Sequence, residues 1–267
     1  MSGLGWADAV LVSNAGGPMV REEIAYQADG SRLVSYLVFE PEAGNGLPGV
    51  LVAPEGAGLG EHARERARRL AGLGYAAMAL DLYGDGLPAR DMDDSLERMR
   101  ALRGEPTRLR QRARAGLDAL ASHPVVDPGR LAAIGFCFGG SAVLELARDG
   151  ADLLGVVGFH CALDTKLPAL SGKVKARVLA CIGALDPLVT HEQRTAFERE
   201  MASAELDWQL IVHGRAKHSF TNPEAAASGW DALAYDRRTD ERSWAAMQLF
   251  LAEVLCGEDG LNSAPGL

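Results

Sequence analysis

Three residue types that together perform nucleophilic catalysis stand far apart in this chain, each beside a turn signal. Cys137 lies in Gly135-Phe-Cys-Phe-Gly-Gly140, Asp186 in Ala184-Leu-Asp-Pro187, and His218 in Gly214-Arg-Ala-Lys-His-Ser-Phe220. A thiolate can attack a carbonyl carbon. An imidazole can take the thiol's proton and return it to a leaving group, while a carboxylate on its far nitrogen fixes the tautomer and stabilises the imidazolium. Such a set implies nucleophilic catalysis at a carbonyl carbon.

The local sequence around Cys137 reads strand, sharp turn, helix. Small and apolar residues from Leu131 lead into Gly135, and Ser141-Ala-Val-Leu-Glu-Leu-Ala-Arg148 has helical periodicity. This is the pattern of a nucleophile elbow with cysteine in the serine's place: the turn strains the nucleophile's backbone, and glycines without a Cβ let strand and helix approach. It sets the sulfur at a helix N-terminus, where the dipole and free N–H groups favour a thiolate. A buried structural cysteine beside a glycine-rich turn fits the same ten residues, so the order of the other groups must decide.

The elements that would position these groups alternate along the chain. Val20 to Ala25 and Leu33 to Phe39 read as an opening hairpin turned at Ala28-Asp-Gly30, and Gly49 to Pro54 as a buried strand followed by a helix from Glu61 to Leu73. Tyr75 to Leu80 is a strand, and two helices over about 91–103 and 106–122 break at Gly104-Glu-Pro106. Beyond the elbow, Leu154 to Phe159, Arg177 to Gly183 and Leu206 to Val212 read as strands. A helix capped by Thr190 runs to about Ala204, and a last one runs from about Thr239 to Cys256. The arginines at 64–69 and the charges of the paired helices read as solvated faces, and the tail after Gly257 as loose. Alternation of this kind implies a mostly parallel sheet with helices on both faces.

On that frame Cys137 follows one strand, Asp186 the next but one, and His218 the last. Nucleophile, acid, histidine in that order at the carboxyl edge of a parallel sheet is the α/β-hydrolase arrangement. Five other histidines compete: His62, His123, His160, His191 and His213. His218 is preferred because it alone sits in the loop after the final strand, whereas His213 reads as the end of that strand. Among acids, Asp186 is preferred to Asp164 and Asp207 for its place after a strand and its Asp-Pro turn.

Composition narrows the class. With 267 residues, 48% of them hydrophobic and 24% charged, the chain is expected to fold as one globular domain spanning 1–267, with its core over about 20–256. A net charge of −9 argues against a nucleic-acid partner. No basic residue precedes Arg21, and the longest apolar run, Leu153 to Leu163, is interrupted by His160, so neither a secretory signal nor a membrane span is expected. The expected compartment is the cytoplasm. The four cysteines, 137, 161, 181 and 256, show no CxxC spacing, which suggests neither a zinc site nor a redox pair.

Taken together, the Cys137 elbow, Ala53-Pro-Glu-Gly56, Tyr75-Ala-Ala-Met-Ala-Leu-Asp-Leu-Tyr-Gly84, the Asp186 loop and His218-Ser-Phe-Thr-Asn-Pro223 resemble the dienelactone hydrolase (carboxymethylenebutenolidase) family over roughly residues 20 to 255. The resemblance implies the α/β-hydrolase fold. It also implies hydrolysis of a small ester or lactone by Cys137, Asp186 and His218 through an acyl-thioenzyme, without metal or organic cofactor. Further, it implies that Glu55 helps to generate the thiolate, a role a carboxylate near a buried thiol can perform. Backbone N–H groups of Phe138 and Gly56 would form the oxyanion hole. The family more often has a bulky apolar residue after that glutamate, so Gly56-Ala-Gly58 alters the pocket. Dienelactones carry a carboxylate that the family binds with arginines, for which Arg90, Arg215 and the 98–114 cluster are candidates. Tyr83 and Trp230 are candidate substrate contacts, and Thr221 to Arg242 reads either as a pocket wall or as an insertion covering a sheet edge. A general carboxylesterase or thioesterase on the same triad, and a catalytically silent binding protein, are the competing readings. The chain is expected to be a monomer or homodimer.

Overall fold

A computed structural model describes residues 19–256; the tail after Gly257 lies outside them. Eight strands form one sheet in the order β1-β2-β4-β3-β5-β6-β7-β8. Here β1 is Val20–Ala28, β2 Ser31–Phe39, β3 Leu47–Ala53, β4 Ala76–Ala79, β5 Val126–Phe136, β6 Gly155–Phe159, β7 Arg177–Gly183 and β8 Trp208–His213. β1 pairs antiparallel with β2 and β2 with β4, while every pairing from β4 to β8 is parallel. The mostly parallel α/β sheet expected from the alternation is thus present, and both of its faces are covered.

Strand residues divide by parity between two cores, as the pleat requires. Leu51, Ala53, Met78, Leu80 and Ala133 face a layer built by α2 (Met92–Gly104), α3 (Pro106–Ala121), α4 (Phe138–Arg148) and α5 (His191–Ser203). Val50, Val52, Ala77, Ala79, Ala132 and Ile134 face α1 (Glu61–Ala71) and α6 (Arg237–Cys256). Central strands with both faces covered read as unbroken apolar runs, which explains why β3 and β4 are buried throughout.

β5 is longer than its apolar run suggests. It begins at Val126, and its register against β3 jumps from Pro48 opposite Asp127 to Gly49 opposite Leu131. The three extra residues are held out by Asp127, whose carboxylate accepts from the Gly129 N–H at 2.9 Å and from Arg130 Nε at 2.8 Å.

Two expectations about charge are corrected. Arg66 is not on a solvated face: it is 3% exposed, donates to the Thr221 carbonyl and pairs with Asp240 on α6 at 2.9 Å. Within the paired helices Asp94, Arg110 and Arg112 are buried as well. Arg112 donates to the Leu82 carbonyl at 2.7 Å and to Asp29 at 3.0 Å, tying the β4 loop to the opening hairpin. Burial of such groups is tolerated because each is paired and hydrogen-bonded. Among the described residues no helix is long and apolar enough to cross a membrane.

Candidate active site

The parallel strands release their loops at one edge, and the sheet order reverses direction around β3, with β4 on one side and β5 on the other. That is where open α/β sheets leave a crevice. Glu55 follows β3, Tyr83 follows β4, Cys137 follows β5, Asp186 follows β7 and His218 follows β8.

Cys137 has φ 52° and ψ −117° and serves as N-cap of α4. A positive φ at a non-glycine residue is the strained turn expected of an elbow. Its glycine neighbours are sterically obligatory: a Cβ on Gly135 would lie 2.2 Å from the Gly139 carbonyl oxygen, and one on Gly139 2.2 Å from that of Ala53. Strand β5, helix α4 and the end of β3 therefore touch through backbone alone.

The three separated groups meet. His218 Nε2 lies 3.1 Å from Cys137 Sγ, and His218 Nδ1 lies 2.7 Å from Asp186 Oδ2. Asp186 and His218 are buried, while Cys137 is half-buried and lines the cavity. Backbone bonds fix the two loops against each other: Leu185 N–H donates to the Ala216 carbonyl at 3.0 Å, and His218 exchanges bonds with Ala232 and Ala234 at 3.1 and 3.0 Å. Asp186 Oδ1 accepts from the Leu188 N–H at 2.8 Å, so neither carboxylate oxygen is idle. Burial disfavours the imidazolium of His218, but the Cys137 sulfur and the Asp186 carboxylate outweigh it and raise its pKa to about 10. Cys161 and Cys181 are pushed up to about 12 by burial and are inert by comparison.

The Glu55 turn is stapled from three sides. The Glu55 carbonyl accepts from the Gly58 N–H at 2.8 Å, so the Gly56 N–H of the same trans peptide points the opposite way. The Gly56 carbonyl accepts from Tyr83 Oη and Ser95 Oγ, each at 2.7 Å, and the Ala57 carbonyl from the Ala89 N–H at 2.8 Å. Phe138 opens α4, where N–H groups have no intrahelical partner. The Glu55 carboxylate is turned toward the opposite loop: Oε2 accepts from Asn222 Nδ2 at 2.6 Å, and Oε1 is buried without a hydrogen-bond partner. His62 Nδ1 stands 4.0 Å from Oε2 and His160 Nε2 3.9 Å from Oε1. His160 is wholly buried and donates to or accepts from Thr221 Oγ1 at 2.8 Å. Burial, reinforced by His218, His62 and Arg66, holds its pKa well below the ordinary histidine range, so it is neutral.

A cavity of about 880 Å³ opens at Cys137, Glu55, Gly56 and His218. Trp230 lines it together with Asn222, Ala225 and Leu233, so the segment after Thr221 is a pocket wall. Tyr83 does not line it: its ring stacks on Phe138 at 6.2 Å and its hydroxyl holds the Gly56 turn. Arg90 and Arg215 are outside the lining as well. Arg90 is an exposed partner of Asp94, and Arg215 is exposed just before His218. The cations that do line the cavity are Arg100, Arg103 and Lys166. Arg103 is paired with Asp164 at 3.0 Å and Lys166 donates to the Gly104 carbonyl at 3.2 Å, which leaves Arg100 unpaired among the described residues. Sequence reasoning gave no role to Asn222, Ser95, His160 and Thr221, which act between segments distant in the chain. Thr221 and Asn222 carried a signal in the His218-Ser-Phe-Thr-Asn-Pro223 motif.

Fold and site together are those of an α/β-hydrolase. The dienelactone hydrolase family model matches residues 34–255. A solved structure named m3DLH is 49% identical, with a TM-score of 0.85, over 90% of this chain and 100% of that one. A dienelactone hydrolase-like promiscuous phosphotriesterase from metagenomic libraries is 40% identical, with a TM-score of 0.84, over 89% and 99% of the two chains. A "Putative carboxymethylenebutenolidase" of Yersinia pestis is 27% identical over 230 residues, 79% of this chain and 85% of the relative. The chain belongs to the dienelactone hydrolase family and is a hydrolase of the ester and lactone class.

Proposed function

We propose that the protein hydrolyses a small lactone or ester through Cys137, Asp186 and His218 with an acyl-thioenzyme intermediate. The observation that carries this reading is the continuous chain from Cys137 Sγ through both nitrogens of His218 to Asp186, set at the mouth of the cavity. The Cys137 sulfur attacks the carbonyl carbon with its proton held on His218 as the imidazolium. Charge developing on the carbonyl oxygen is met by the N–H groups of Phe138 and Gly56. As the C–O bond breaks, the imidazolium returns a proton to the leaving alkoxide. A water then attacks the thioester with neutral His218 as base, and the thiol leaves as the acid forms. Asp186 stays ionised throughout and stabilises each imidazolium. Glu55 supports thiolate formation because its Oε1 is a buried acceptor with no donor of its own.

Arg100 is the cation suited to a substrate carboxylate, and comparing a carboxylated lactone with its neutral methyl ester tests that assignment. The acid is expected to be favoured by about 10²-fold in kcat/KM, the scale of one or two charge-assisted hydrogen bonds. Preference for the neutral compound would promote the general carboxylesterase or thioesterase reading, and no turnover of either, or of a chromogenic ester, the silent binding protein. Hydrolysis of phosphotriesters is a second activity to assay, favoured by the 40% identity to the promiscuous phosphotriesterase.

A further inference from the structure

Helix α2 forms one long wall of the cavity, and its character changes along its length. Met92, Leu96 and Met99 recur at i, i+4 and i+7, and Arg100 and Arg103 follow on the same side. From Met92 to Arg103 the wall extends about 16 Å at the helical rise. Ser95 fixes the middle of this wall to the Gly56 turn. At the far end Arg103 meets Asp164, whereas the start of α2 meets the segment that carries Trp230.

At that start a shallower hollow of about 250 Å³ is lined by Met92, Leu96, Ser228, Gly229 and Trp230, all but Gly229 shared with the main cavity. The two hollows are therefore continuous. Among the described residues no charged side chain lines the smaller one. Met92 and Trp230 stand 44% and 48% exposed, an uncovered apolar surface that begins inside a catalytic pocket. Gly56 keeps the passage from the nucleophile clear: a Cβ there would lie 3.2 Å from Ser95 Oγ and 3.6 Å from Met99 Sδ, so a bulkier residue would fill the space between the turn and α2.

We propose that the Met92, Leu96 and Trp230 end is a distal subsite for a neutral apolar arm of the substrate, an alkyl or aryl group several carbons long attached to the scissile ester. The inference rests on the hydrolase reading and deepens it. Asp91 and Glu224 line the adjoining rim of the main cavity and disfavour an anionic arm, while a methionine thioether adapts to chains of different shape. Apolar area is removed from water on both the arm and the wall, so the gain scales with chain length until the hollow is filled.

The test compares ethyl acetate with ethyl hexanoate and with hexyl acetate by pH-stat titration, which places the longer chain on either side of the ester bond. For the unaltered protein one of the two longer esters is expected to exceed ethyl acetate by about tenfold or more in kcat/KM, chiefly through KM, as four methylenes partly buried should give. Trp230→Ala and Met92→Ser, both at exposed positions, should each lower that long-to-short ratio by about threefold or more. Turnover of ethyl acetate with equal kinetics for all three esters, or ratios unchanged in both variants, would overturn the subsite and leave the hydrolase reading standing. Absence of turnover of every ester would overturn both.

Discussion

Asn222 Nδ2 donates to Glu55 Oε2 at 2.6 Å, joining the loop after β8 to the loop after β3 across the mouth of the catalytic cavity. The bond fixes one oxygen of Glu55 and leaves the other, Oε1, buried and without a donor. A glutamine at this position can still accept from Asn222 but cannot take a proton. Glu55→Gln is therefore expected to lower kcat/KM by roughly tenfold to a thousandfold without loss of fold, reaching into the range of an acid–base group, which starts at about a hundredfold. Equal kinetics in variant and parent would reduce Glu55 to a structural anchor.

The raised pKa of His218 gives a second expectation. Burial alone would lower it, and the groups that reverse the sign are the Cys137 sulfur and the Asp186 carboxylate. Removing the sulfur in Cys137→Ala must therefore lower the pKa from about 10, and Asp186→Asn must lower it too. Titration of the His218 C2–H by NMR in the parent and both variants measures this directly. A pKa that is the same in all three would mean that neither partner faces the imidazole in solution.

Much of this was legible in the sequence, for identifiable reasons. The elbow could be read because its glycines are demanded by backbone contact, at Gly135 and Gly139, rather than by any substrate. Asp186 could be placed because it follows β7, whose apolar run is continuous, a consequence of burial on both faces; His218 could be placed because it lies in the loop after β8, the edge strand that ends the sheet. Helical spacing sets Arg66 on a solvated face because it reports the face of a side chain but not whether an acid on another element, here Asp240, awaits it. Tyr83 was a reasonable substrate candidate at a strand end, but its hydroxyl is used by the Gly56 carbonyl. Arg90 stands just before α2 and pairs at the surface with Asp94.

A third expectation concerns stability. Glu145 is 5% exposed on α4, between Arg110 at 2.7 Å and Arg148 at 3.2 Å. Arg148 retains Glu200 at 2.8 Å, but Arg110 would keep only the more distant Asp149, at 3.6 Å, and the Leu167 carbonyl. Glu145→Ala should destabilise the fold by about 3 kcal/mol, because removing one partner leaves a buried charge uncompensated. Urea denaturation of parent and variant checks this, and a difference under about 1 kcal/mol would show that Arg110 relaxes to solvent.

The central claim is that the Cys137 sulfur carries the acyl group, and the most direct measurement is to trap it there. Parent protein mixed with an activated ester, quenched in acid within the first turnover and digested, should yield one acylated peptide by mass spectrometry, with the added mass on Cys137 and none on Cys161 or Cys181. Cys137→Ala should form no adduct and show no turnover above background. An acyl group mapped to another residue, or an alanine variant that retains near-normal activity, would contradict the assignment of Cys137 as nucleophile.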